Sequence, residues 1–137
     1  MERYIAIDGV CAWPNLTRLP NGETVATIFN QPCHGKWEGD VECWASRNGR
    51  FWERRGVPAP HEPGTNRMNV AAGLAQNGDL LVIASGWSSR PPRPDPLPVF
   101  PHDPYDLPEG GRFEKHRKVI PSWICRSVDH GKTWTRA

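Results

Sequence analysis

The chain has 137 residues, with 17 Lys and Arg against 15 Asp and Glu. That length suits one ordinary domain, and the near balance of charge excludes a nucleic-acid-binding polycation. Fifteen Pro, thirteen Gly and seven Trp favour short strands and turns, and no stretch keeps a helical period for three turns, so an all-β fold is expected. No apolar run reaches transmembrane length, so no membrane partner is expected. The first residues carry no signal peptide, which makes the cytoplasm the default expectation and leaves the compartment open. The four Cys (Cys11, Cys33, Cys43, Cys125) form no close pair, which excludes a CxxC site, and no metal or cofactor is expected. Cys43 and Cys125 sit in strand-like runs and read as small buried hydrophobes, while one disulfide stays possible in an exported protein.

Residues 4–8 read as a short strand. A second strand over 15–19 ends at Pro20-Asn21-Gly22, where Asn-Gly is a strong hairpin signal, and residues 24–29 form its partner. A loop over 30–39 leads to a strand at 40–45, then a turn at Asn48-Gly49 and a strand at 51–54. After Pro-rich residues 58–63 the pattern starts again, with strands at 68–75, 80–85, 122–127 and 133–136. Asn21-Gly22 matches Asn77-Gly78, while Cys43, Gly49 and Trp52 match Cys125, Gly131 and Trp134 at one offset of 82. Two copies of a four-stranded meander are therefore expected, residues 1–57 and 58–137. Between Trp87 and Pro121 (the 87–121 insertion), eight Pro from Pro91 to Pro108 predict an extended, polyproline-like loop.

The second copy closes on Ser127-Val128-Asp129-His130-Gly131-Lys132-Thr133-Trp134. In Ser-x-Asp-x-Gly-x-Thr-Trp the Asp accepts backbone N–H groups of its own turn, Gly supplies a positive φ, and Trp anchors the next strand. With Ser127, Asp129, Gly131, Thr133 and Trp134 in place, the octapeptide resembles the Asp-box of the sialidases, the bacterial neuraminidase repeat of six-bladed β-propellers. On the offset of 82, Ala45 falls at Ser127 and Arg47 at Asp129, so the first copy reads as a worn box. The resemblance implies two four-stranded antiparallel blades of a sialidase-like propeller. Such a pair is either part of a longer propeller or a homo-oligomer, a trimer closing six blades.

Propellers bind ligands at the channel mouth, where second strands end and first strands begin. That selects Gln31, His34, Trp37, Glu38 and Asp40 from one loop, and Asn66, Arg67 and Asn69 from the approach to the second copy. Glycoside cleavage needs an acid and a nucleophile or base, which makes His34, Glu38 and Asp40 the candidate catalytic residues. Gln31, Trp37, Asn66, Arg67 and Asn69 are the candidate substrate contacts, for a glycan or small acidic sugar. The sialidases carry Arg-Ile-Pro before the first inner strand, and that Arg grips the substrate carboxylate. Here the stretch is Ala12-Trp13-Pro14, with Ala12 where the Arg would stand. The sequence therefore supports a glycan-acting hydrolase of exo-sialidase type, or a non-catalytic carbohydrate- or protein-binding propeller module.

Overall fold

The computed structural model describes residues 3–33, 38–88 and 118–137. Its strands are β1 (Cys11–Arg18), β2 (Thr24–Phe29), β3 (Val41–Ser46), β4 (Glu53–Ala59), β5 (Asn69–Leu74), β6 (Leu80–Ser88), β7 (Lys118–Ser127) and β8 (Thr135–Arg136). They form two four-stranded antiparallel sheets, ordered β1-β2-β3-β4 and β5-β6-β7-β8, and no helix occurs among the described residues. The hairpin signals act where the sequence puts them, with Gly22 and Gly78 at φ of 86° and 87°. Residues 89–117, the bulk of the Pro-rich insertion, lie outside the described residues.

The structure departs from the expected strands in several places, and β6 runs on to Ser88 while β7 starts at Lys118, both inside the expected 87–121 insertion. Residues 4–8 form bends rather than a strand. Tyr4 and Ile5 stay 53% and 77% exposed, so little burial offsets the entropy of ordering them. β1 begins earlier than expected, at Cys11, and absorbs Trp13-Pro14 in an irregularity of register between Cys11 and Asn15, with Trp13 at φ 57°. Pro14 has no N–H for a ladder, and an edge strand with a bulge tolerates it. β4 runs on to Ala59, two residues past the expected boundary at 57 and well past Arg54.

The two sheets pack face to face. In β2 and β3 the pairs Val25–Ala45, Thr27–Cys43 and Phe29–Val41 share the face toward the second sheet. Opposite stand Leu80, Val82 and Ala84 of β6 with Cys125 of β7. Val25, Val41, Cys43, Val82, Ala84 and Cys125 are all fully buried there, which contributes about 25 cal/mol per Å² of apolar surface. Burial pushes the Cys43 thiol up to about 12 and raises that of Cys125, so both act as apolar packing. All four cysteines are free. Asn15 joins the innermost strands, its amide donating to Val70 O at 3.0 Å and accepting from Ala72 N at 3.2 Å. The edge of β5 is thereby satisfied by one side chain.

The ladder also realigns the repeat. Thr24 pairs with Ser46, and Leu80 with Ser127. Ser46, not Ala45, therefore stands where Ser127 stands, and Asn48 stands where Asp129 does. Gly49 N donates to Ser46 Oγ at 2.8 Å, as Gly131 N donates to Ser127 Oγ at 2.8 Å. Asn48 Oδ1 accepts Arg50 N and Phe51 N at 2.9 and 3.0 Å, and Asp129 Oδ1 accepts Lys132 N and Thr133 N at 3.1 and 2.8 Å. Trp52 Nε1 donates to Gly49 O, and Trp134 Nε1 to Gly131 O, both at 3.0 Å. One residue, the counterpart of His130, is missing between Asn48 and Gly49, and a constant offset cannot register that gap.

Candidate functional site

In a four-stranded meander the end of β2, the start of β3 and the end of β4 meet at one end of the sheet. At that end Asn30 closes the β2–β3 loop. Its backbone N donates to Asp40 O at 3.0 Å and its Oδ1 accepts Asp40 N at 2.8 Å. Its amide nitrogen reaches Asp40 Oδ2 at 3.4 Å and Glu42 Oε1 at 3.3 Å. Gly39 lets the loop pass against the Phe29 ring, because a Cβ there would stand 2.3 Å from it.

The second sheet meets this loop through its backbone. Glu38 N donates to Thr65 O and Arg67 N to Gly39 O, both at 2.8 Å, and Gly64 N donates to Glu38 Oε1 at 3.3 Å. Gln31 donates weakly to Glu38 O at 3.4 Å. The structure thus brings together segments holding Gln31, Glu38 and Asp40 on one side and Asn66 and Arg67 on the other, with 26 (66 − 40) to 36 (67 − 31) residues of chain between them. His34 and Trp37 lie outside the described residues. Asn69 opens β5 opposite Ser85 and is exposed.

Several of these side chains are committed to the fold. Asn66 is fully buried, its N donating to Trp87 O at 3.0 Å and its Oδ1 accepting Trp87 N at 3.2 Å. Arg67 is 2% exposed, donates to Pro121 O at 2.7 Å, and lies 3.7 Å from the Glu62 carboxylate. Its guanidinium stacks 3.5 Å from the Trp123 ring centre, and that of Arg136 stands 4.4 Å from the same ring. Burial lowers the Arg67 pKa against the pull of Glu62, and its buried Nε has no hydrogen-bond partner among the described residues.

Sequence reasoning missed His61, Glu62 and Trp123. His61 N and Nδ1 lie 2.7 and 2.6 Å from Asp40 Oδ1. The signal was parity: a fourth strand that ends after Pro58 delivers His61-Glu62 to the same end as Asp40. Trp123 was read only as a strand residue. Among the described residues no three His, Cys, Asp or Glu side chains converge as metal ligands would. An open cavity of about 620 Å³ borders Trp123 and Arg136, and another of about 280 Å³ lies at the opposite end, beside Arg47, Asn48 and Trp52.

No family model and no curated protein matches the chain. Among solved structures it is similar to a protein of unknown function from Dyadobacter fermentans DSM 18053, with a TM-score of 0.63 and 17% identity. The match covers 95% of this chain and 36% of that one, so the chain spans little more than a third of its neighbour's length. At that identity the likeness shows a shared fold alone.

Proposed function

We propose that this chain is two neighbouring blades of a sialidase-like β-propeller, and that the end carrying Glu38, Asp40 and Arg67 is the site of a glycan-acting hydrolase. The observation that carries the reading is the backbone pairing of Glu38 with Thr65 and of Gly39 with Arg67. It holds the loop that carries Glu38 and Asp40 against the segment that carries Arg67 in the approach to the second sheet. Glycosidases need such carboxylates.

The blade reading rests on the two equivalent boxes and on the order of faces. The face of the first sheet toward the second holds Val25 and Thr27, whose counterparts Leu81 and Ile83 lie on the far face of the second sheet. Each sheet therefore offers a different face to the next, an arrangement that repeats around a ring when the rotation closes. A neighbour in which two such sheets take up 36% of the chain has length for about four more.

The test is hydrolysis of 4-nitrophenyl glycosides and 4-methylumbelliferyl sialosides by the parent, Glu38→Gln and Asp40→Asn. Turnover that falls in both variants supports the reading, and a parent inert on every substrate ends it. The alternative, a non-catalytic carbohydrate- or protein-binding module, is favoured by the commitment of Asn66 and Arg67 to the fold and by Ala12 in place of an arginine. It predicts saturable glycan binding without turnover.

A further inference from the structure

Asp40 and His61 form a pair that a sialidase-like site does not call for. Asp40 directly precedes β3 and His61 follows β4, so the antiparallel turn of the sheet returns them to each other. One oxygen, Asp40 Oδ1, accepts the backbone N–H of His61 at 2.7 Å and lies 2.6 Å from its Nδ1. Asn30 holds the same aspartate from the other side by its backbone N, its Oδ1 and, more weakly, its amide nitrogen. The backbone of Asp40 is therefore fixed on both sides, and its carboxylate is held by Asn30 through the 3.4 Å amide contact alone besides His61.

An ionised carboxylate accepts and cannot donate, so the hydrogen of this pair belongs on Nδ1 and the lone pair on Nε2. Nε2 makes no hydrogen bond among the described residues, and the side chain is 28% exposed, so solvent reaches it. The other acidic groups nearby have partners of their own. Glu42 pairs with Arg54 at 2.9 Å, Glu62 faces Arg67, and Glu38 Oε1 takes Gly64 N–H. Asp40 is left as the carboxylate that orients His61.

We propose that His61 is the proton-transfer residue of this end of the molecule and that Asp40 is its positioning residue. The assignment rests on the hydrolase reading and deepens it, adding His61 to the catalytic candidates His34, Glu38 and Asp40 and giving Asp40 a positioning role. Nε2 takes a proton from a water molecule as the water oxygen bonds to the anomeric carbon. The glycosidic C–O bond breaks with its electron pair going to the leaving oxygen. The leaving oxygen takes a proton from solvent and Nε2 returns its proton to solvent, so the imidazole ends neutral and one water is consumed.

Two measurements test this separately from the hydrolase reading. On any glycoside of the panel that the parent turns over, His61→Gln lowers kcat about 100-fold or more with KM nearly unchanged. It keeps the backbone bond to Asp40, so its fold is preserved. Parental kcat in His61→Gln overturns the proposal. Nitrogen-15 NMR of the parent at pH 8 is the second measurement, and needs no substrate. A protonated Nδ1 and bare Nε2 at His61, turning to a tautomer mixture in Asp40→Asn, supports the proposal, and an Nε2–H tautomer in the parent overturns it. Acylation by diethyl pyrocarbonate, mapped by mass spectrometry, adds a chemical readout. His61 reacts faster than His130 and slows about fivefold or more in Asp40→Asn, and equal rates at the two histidines overturn the assignment. If the parent hydrolyses nothing, the glycan reading falls, and the tautomer and acylation results still decide whether His61 is a poised base.

Discussion

At Asp129 one carboxylate accepts four hydrogen bonds, from Ser127 Oγ, Lys132 N, Thr133 N and Thr133 Oγ1. Burial pushes this carboxyl up, and the bonds from Thr133, Ser127 and Lys132 outweigh it, holding the group at about 2 against an ordinary 3.8. Asn48 takes the matching bonds from Ser46, Arg50 and Phe51 in the first sheet. Asp129→Ala and Asn48→Ala are each expected to lower stability by about 1–2 kcal/mol in urea melts. Arg47→Ala, at the position a gapless alignment would equate with Asp129, should cost less, since Arg47 makes an ion pair with a side chain 86% exposed.

Glu23 is another carboxyl shifted at this end, as is Asp79, which Asn77 and Arg126 lower. The Arg55 guanidinium, then Asn21 and, against burial, Arg47 hold Glu23 at about 2 from an ordinary 4.5. Arg55 also donates to His130 O at 3.0 Å, so the ion pair ties the first sheet to the second box. Glu23 and Asp129 bind protons more weakly folded than unfolded. Their contribution is therefore fully present above about 4.5 and is lost as pH falls toward about 2. Urea midpoints should drop between pH 6 and pH 3, and the gap between parent and Glu23→Gln should narrow over the same range. A gap that stays constant would mean that Glu23 is not shifted.

At the scale of elements, β6 bends past the approach to β5 only because Gly86 has no side chain. A Cβ there would stand 1.8 Å from Asn66 O, a backbone atom with nowhere to go. Gly86→Ala is expected to destabilise by about 3 kcal/mol or more. Gly73→Ala in β5, where a Cβ meets nothing within 4 Å, should be neutral or stabilising by up to about 1 kcal/mol. Thermal melts of the two variants check this contrast. The strands themselves were legible because Asn21-Gly22 and Asn77-Gly78 mark hairpins by local chemistry. The extent of β4 was not legible, since Pro58 and Pro60 read as punctuation while an edge strand accommodates them. That misreading hid His61 and Glu62. The loop carboxylates were picked out by where propellers bind ligands, but the inward turn of Asn66 and Arg67 was not legible, because it depends on Trp87, Pro121 and Trp123, which lie far off in sequence.

At the scale of the whole molecule, the far face of the second sheet is the open question of the fold. Ile83 is 49% and Ile124 50% exposed there, side by side in paired strands. Their counterpart face on the first sheet is covered by β6 and β7. Repetition of one stacking step, which would cover this face, is the central claim of the propeller reading. Sedimentation velocity of the 137-residue chain across a range of concentrations tests it most directly. The account predicts self-association, with three chains as the closed species, and a shift to single chains in Ile83→Asp/Ile124→Asp. A parent that stays a single chain at every concentration would contradict it.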